Sequence, residues 1–258
     1  VSNPLTRLGL FEAVKPFAPG GRFATADVPL VDALADAFGL PKNGANVPVT
    51  ELTDQDFADA AVTLGCSVAQ IRAVFEVEAS GSGWFTDVRA DILALDGPGG
   101  FIDGNLCKIL FEAHHFDRLT QGRFRAKYPN ISSPKWNRAL YVGGQAEWSR
   151  LHLAMTLDRS AALKAASWGG PQIMGFNHEL AGFATVEKFV EAMQSGSRAH
   201  LMAFVNFVKN SGLGPALRQI TTVHASAVPF ARGYNGKGYA ANEYHIKIAR
   251  AFAKWSRK

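Results

Sequence analysis

A chain of 258 residues with 47% hydrophobic and 19% charged residues is long enough to bury one sizeable core and excludes a disordered or fibrous protein. Two cysteines exclude a disulfide framework, and no apolar run approaches the ~18 residues of a membrane-spanning helix, so a soluble chain without membrane insertion is expected. The net charge of +5 points to an anionic partner such as nucleic acid, a membrane surface or a bacterial wall, but no recognisable motif accompanies the basic stretches 118–127 and 254–258, and no nucleic acid is expected.

Taken in chain order, two short helical patterns come first, at residues 5–15 and 28–38, the second ending at Gly39. The Pro-, Gly- and Asn-rich stretch 41–49 reads as a linker, so the chain is expected to divide into a small helical module, 1–46, and a main domain, 47–258. Thr53 with Asp56 forms a capping pattern that starts a helix stopped by Gly65. Ser67 with Gln70 starts the next, which runs to Ser80 before a Gly-Ser-Gly break. A Gly- and Asp-rich excursion over 81–105 leads to the apolar run 106–111, read as one short strand. Beyond Pro134, helices are predicted over 145–157, 160–166, 185–193, 197–210, 215–222 and 239–255. The predicted class is mainly α with a small β element. Cys66 and Cys107 read as buried free thiols, with a single bridge left open.

The helix after Ser67 carries apolar Val68, Ile71 and Phe75 at helical spacing, and the next position on that stripe is Glu78. A carboxyl in a core-facing slot is held neutral by desolvation, the state needed to protonate a glycosidic oxygen near neutral pH. The alternative for Glu78 is a solvated helix end. Glu76 falls on another face, where an exposed ion pair with Arg72 accounts for it. Glycoside cleavage commonly uses a second carboxylate, and Glu112, at the end of the apolar run, is the candidate. The alternative for Glu112 is an ion pair with His115 or Arg118, and Asp87, Asp91, Asp96 or Asp103 in the intervening loop are rivals for orienting water. Of the histidines only His114 and His115 are adjacent, without zinc-site spacing, so neither metal nor cofactor is expected.

Three segments in order, Val-Glu-Ala-Ser-Gly-Ser-Gly-Trp at 77–84, Lys-Ile-Leu-Phe-Glu-Ala-His-His-Phe at 108–116 and Ser-Trp-Gly-Gly-Pro-Gln-Ile-Met-Gly at 167–175, together resemble the N-acetylmuramidase family of bacteriophage endolysins. The third is also similar to the Gly-x-x-Gln signature of goose-type lysozymes and lytic transglycosylases, and Tyr234-Asn235 to the Tyr-Asn pair lining their groove. The resemblance implies an α+β lysozyme-like fold, Glu78 and Glu112 as catalytic residues, and Gln172, Tyr234 and Asn235 as substrate contacts. The residues themselves leave Gln172 and Asn235 open as turn positions and Tyr234 as a core aromatic.

The implied activity is hydrolysis of the bond between N-acetylmuramic acid and N-acetylglucosamine in bacterial peptidoglycan. A transglycosylase releasing anhydro ends and a non-catalytic wall binder are the alternatives. The family's biology implies a monomer made in the host cytoplasm, acting on periplasmic peptidoglycan after holin-type release. Relatives often place Ser directly after the glutamate where this chain has Ala79, and the loop over 85–100 is longer than usual. The first module resembles small wall-binding modules, with a helical extension of the main domain as the alternative.

Overall fold

The computed structural model describes residues 51–79, 83–85, 87–93, 95 and 106–257, with isolated positions before them. The chain divides into two compact units, Val1–Pro48 and Val49–Lys258. In the first, Leu10, Val14, Leu30, Ala33 and Leu34 have helical backbone; the rest of the helices expected at 5–15 and 28–38 lies outside the described residues.

The second unit opens with α1 (Asp54–Leu64), whose start is a reciprocal capping box: Thr53 Oγ1 accepts from the Asp56 N–H while the Asp56 carboxylate accepts from the Thr53 N–H. Gly65 ends it in the left-handed region at φ 61°, where a side chain would cost energy. The next helix, α2 (Val68–Ala79), starts with the same device, Ser67 and Gln70 exchanging bonds of 2.9 and 3.2 Å. Gln70 also donates to the carbonyls of Arg218 and Ile220, which fixes the start of α2 against a distant part of the chain.

β1 (Trp84–Phe85) pairs antiparallel with β2 (Leu106–Cys107), and the short helix α3 (Ala90–Leu93) lies in the excursion between them. The single strand expected over 106–111 is two strands. At Lys108 the chain leaves the first sheet, and β3 (Ile109–Phe111) enters a second. α4 (Ala113–Leu119) follows at once, then α5 (Glu147–Leu157) and α6 (Arg159–Lys164), the last capped by the Asp158 carboxylate accepting from the Ala161 N–H. β4 (Ala166–Trp168) runs antiparallel to β3, and β5 (Ile173–Met174) antiparallel to β4. The predicted helix over 160–166 therefore stops early. Its Ala-rich sequence has no β-branched residue to mark the change to a strand, and pairing on both edges decides it.

The remaining elements are α7 (Val186–Met193), α8 (Ser197–Asn210), α9 (Gly214–Arg218), α10 (Val228–Asn235) and α11 (Tyr244–Trp255). α8 matches its predicted span. α9 ends before 222, and α11 begins five positions after the predicted 239, because Glu243 at φ 55° interrupts the helical run.

Two hydrophobic clusters organise these elements. In one, Ile71, Val74 and Phe75 of α2 meet Leu201, Phe204 and Val205 of α8, Phe230 of α10 and Ile248 of α11. Complete burial of a side chain such as Ile71 or Phe204 contributes about 2 kcal/mol each. In the other, the strands are covered by Phe116, Trp148, Leu151, Leu163, Phe189 and Met193. The class is thus mainly α with small antiparallel sheets. Cys66 and Cys107 are both free, Cys107 fully buried, and burial pushes both thiols upward, Cys66 to about 11. Among the described residues no single helix is long and apolar enough to cross a membrane.

Candidate active site

Glu78 lies in the last turn of α2 and is 7% exposed. The stripe that buries it runs through Ile71, Val74 and Phe75; Val68, the first residue of α2, is 39% exposed and lies off the core. Desolvation pushes the Glu78 carboxyl up to about 7, opposed by the hydrogen bond that Asn235 Nδ2 donates to its Oε1 at 2.9 Å. The Glu78 charge also helps hold the Tyr234 and Tyr244 hydroxyls above their ordinary range, behind their own burial. The result is a carboxyl that still holds a large share of its protons near neutral pH, with Asn235 as its directional partner.

The chain just beyond Glu78 is locked to the loop after β4. Lys108 N–H donates to the Gly83 carbonyl at 2.8 Å, and Gly169 N–H donates to the Lys108 carbonyl at 2.8 Å. A Cβ on Gly83 would stand 2.3 Å from the Gly170 nitrogen and 2.6 Å from His200 Nδ1, so only glycine permits this approach. His200 is buried and stacks on Trp84 with ring centroids 4.7 Å apart. Its Nδ1 lies 3.3 Å from the Gly170 N–H and its Nε2 2.7 Å from the Met193 carbonyl. The neutral tautomer with the proton on Nε2 satisfies both, and burial lowers its pKa to about 4.

On the same loop Gln172 has φ 51°, a strained value for a non-glycine residue. Its amide is held at both ends: Nε2 donates to the Gly169 carbonyl, and Oε1 accepts from Ser167 Oγ, each at 2.7 Å. Tyr234 packs among Phe204, Phe207 and Phe230 and donates its hydroxyl to the Pro171 carbonyl at 3.0 Å. α10 thus ties Glu78 through Asn235 and the Gln172 loop through Tyr234.

Glu112 follows β3 directly. Alternation buries Ile109 and Phe111 and puts Lys108, Leu110 and Glu112 on the other face, where Leu110 is paired with Ser167 and Ser167 with Met174. Glu112 Oε2 accepts the Tyr141 hydroxyl at 2.5 Å and lies 3.2 Å from His114 Nδ1; Oε1 has no partner among the described residues. Burial, then Glu112, raises the Tyr141 hydroxyl above its ordinary range. The loop carrying Tyr141 is pinned by Glu147, which is fully buried, accepts from the N–H groups of Val142 and Gly143 and pairs with Arg150 at 2.7 Å. Arg150 also donates to the carbonyls of Phe111 and Asn130.

Residues 96–256 match the family model described as N-acetylmuramidase. The chain belongs to the N-acetylmuramidase family. The muramidase is also similar to a solved structure, the endolysin of the Burkholderia phage AP3, at 32% identity and a TM-score of 0.68, over 98% of this chain and 86% of that one. No curated protein matches it. The matched family segment contains Glu112, Gln172, Tyr234 and Asn235 but begins after Glu78, whereas the structural likeness extends across nearly the whole chain.

Several sequence expectations for the muramidase are revised by the geometry. Glu76 pairs with Lys254 and accepts from Trp255 Nε1, both at 2.8 Å, rather than with Arg72, which pairs with Asp54. Glu112 meets His114 and Tyr141, not His115 or Arg118, which contact each other at 3.0 Å. Asp87 is exposed and Asp91 is an exposed partner of Arg89 at 2.6 Å; Asp96 and Asp103 lie outside the described residues. Tyr141 was not singled out from sequence, since a loop tyrosine 29 positions from its carboxylate leaves no periodic trace; His114 was read only as one of an adjacent histidine pair, not as a partner of Glu112. Among the described residues no group of three or more His, Cys, Asp or Glu converges on a common point.

Proposed function

We propose that this muramidase hydrolyses the glycosidic bond between N-acetylmuramic acid and N-acetylglucosamine with Glu78 as proton donor and Glu112 as the second carboxylate. The observation that carries the reading is the buried Glu78 carboxyl, pushed up to about 7 and contacted by Asn235 alone among the described hydrogen-bond donors. A large fraction of it stays protonated near neutral pH, where an ordinary carboxyl is almost wholly ionised, and that proton passes to the departing oxygen as an oxocarbenium-like centre develops. Glu112, held through Oε2 by Tyr141 and His114, has Oε1 available to a water or to the developing positive centre. Gln172, Tyr234 and Asn235 are proposed to line the sugar groove, Gln172 through its strained turn and Tyr234 chiefly by positioning. The substrate is bacterial peptidoglycan, acted on by a monomer; the unit Val1–Pro48 is proposed to aid binding to the wall.

Turbidity loss of outer-membrane-permeabilised cells tests the assignment. Glu78→Gln is expected to lower the rate by at least about a hundredfold while still sedimenting with walls. Full activity in that variant would overturn the proton-donor role, and sedimentation without lysis by the unaltered protein would make it a wall binder. Mass spectrometry of released muropeptides should show reducing ends, and mainly anhydro ends would assign the transfer to the muramic 6-hydroxyl instead of water.

A further inference from the structure

Five tryptophans occur in the chain, and Trp84, Trp148 and Trp168 are core residues no more than 2% exposed. Trp136 is different: it is 58% exposed, in the loop between α4 and α5. Leaving an indole in water forgoes the burial energy that its size would contribute, so an exposed indole that is also held rigid invites a functional explanation. The ring is held by its edge. Nε1 donates to the Tyr141 hydroxyl at 2.8 Å, and that hydroxyl donates onward to Glu112 Oε2 at 2.5 Å. The Tyr141 ring sits 6.3 Å away at 54°, against the indole's side rather than stacked over it. The indole is therefore oriented, two hydrogen bonds from the Glu112 carboxylate, with its polar atom satisfied from within the protein and its apolar surface presented to solvent.

We propose that Trp136 is a stacking platform for a pyranose ring of the glycan strand, forming a sugar subsite on the Glu112 side of the cleft. The apolar C–H face of an N-acetylhexosamine matches an indole in size and polarity, and a ring fixed beforehand pays little rotamer entropy on binding. The inference rests on the reading of Glu112 as part of the cleft, and adds to it a residue that contacts substrate away from the scissile bond.

The test compares Glu78→Gln with Glu78→Gln/Trp136→Ala and Glu78→Gln/Trp136→Phe, titrating each calorimetrically with an uncross-linked tetrasaccharide of alternating N-acetylglucosamine and N-acetylmuramic acid. Removing the ring is expected to weaken binding about tenfold, whereas Phe, which stacks but cannot donate to Tyr141, should stay within about threefold. In the otherwise unaltered enzyme, Trp136→Ala should raise KM by a similar factor and change kcat less than KM. Equal binding by the Ala variant, or a Phe variant as weak as Ala, would overturn stacking. Cleavage of the tetrasaccharide by Glu78→Gln would instead sink the proton-donor reading, and the KM comparison would then judge Trp136 independently.

Discussion

At the scale of single residues, the chemistry is set by what surrounds one carboxyl. Burial raises Glu78 from 4.5 to about 7, and the Asn235 bond, which favours the charged form, restrains the rise. Replacing Asn235 by Leu, similar in volume but unable to donate, should move the alkaline limb of the kcat/KM profile to higher pH and reduce kcat by about tenfold through lost orientation. A limb that moves downward would mean that Asn235 does not act on the charged form. The same shift has a cost in stability. A carboxyl with a folded-state pKa above its unfolded value binds more protons in the native state between pH 4.5 and 7, so stability falls as pH rises through that window. Glu78→Gln should therefore be more stable than the parent by about 3 kcal/mol at pH 8, with the difference vanishing near pH 4, as read from urea unfolding. A constant difference across pH would place the origin elsewhere. Of this site, Glu78 was legible from helical spacing, because burial on a helix obeys a period; Tyr141 and His200 were not, because Tyr141 reaches Glu112 and His200 reaches Gly170 across long stretches of sequence.

At the scale of elements, short polar devices near chain breaks decide where helices start, and these were readable: Thr53 with Asp56 and Ser67 with Gln70 form the caps their spacing predicts. What pairing decides was hidden. The division of 106–111 between two sheets and the strand at Ala166–Trp168 depend on partners far away in the sequence, and α10, which brings Asn235 to Glu78 and Tyr234 to the Pro171 carbonyl, carries only a short apolar pattern. The buried pair Glu147–Arg150 belongs at this scale, since it joins α5 to the end of β3 and to the Tyr141 loop. Glu147→Gln leaves the Arg150 charge buried without its counter-ion and should destabilise the fold by about 3 kcal/mol. It should also lower activity at temperatures where the variant remains folded, by freeing Tyr141 from Glu112. Urea unfolding and turnover at 20 °C measure the two effects, and an unchanged unfolding midpoint would deny the pair its structural role.

For the molecule as a whole, the net charge of +5 favours approach to an anionic wall, but part of the basic sequence is committed internally. Arg123 pairs with Asp158, Arg125 with Asp117, and Lys254 with Glu76, so much of 118–127 and part of the tail neutralise the protein's own acids. The remaining charge should still be felt at long range. Lysis of intact walls is expected to fall between 0.05 and 0.5 M salt by several-fold more than turnover of soluble fragments, because screening acts on extended surfaces before it acts in a cleft. Parallel decline in the two assays would remove charge steering from the account. The two unpaired thiols carry a different consequence. Cys107 is sealed in the core and Cys66 is held away from its reactive anion, so no covalent cross-link has to be made or broken for the fold to persist. The fold should therefore respond little to a change from reducing to oxidising solvent, and an unfolding midpoint that moves with added dithiothreitol would contradict this.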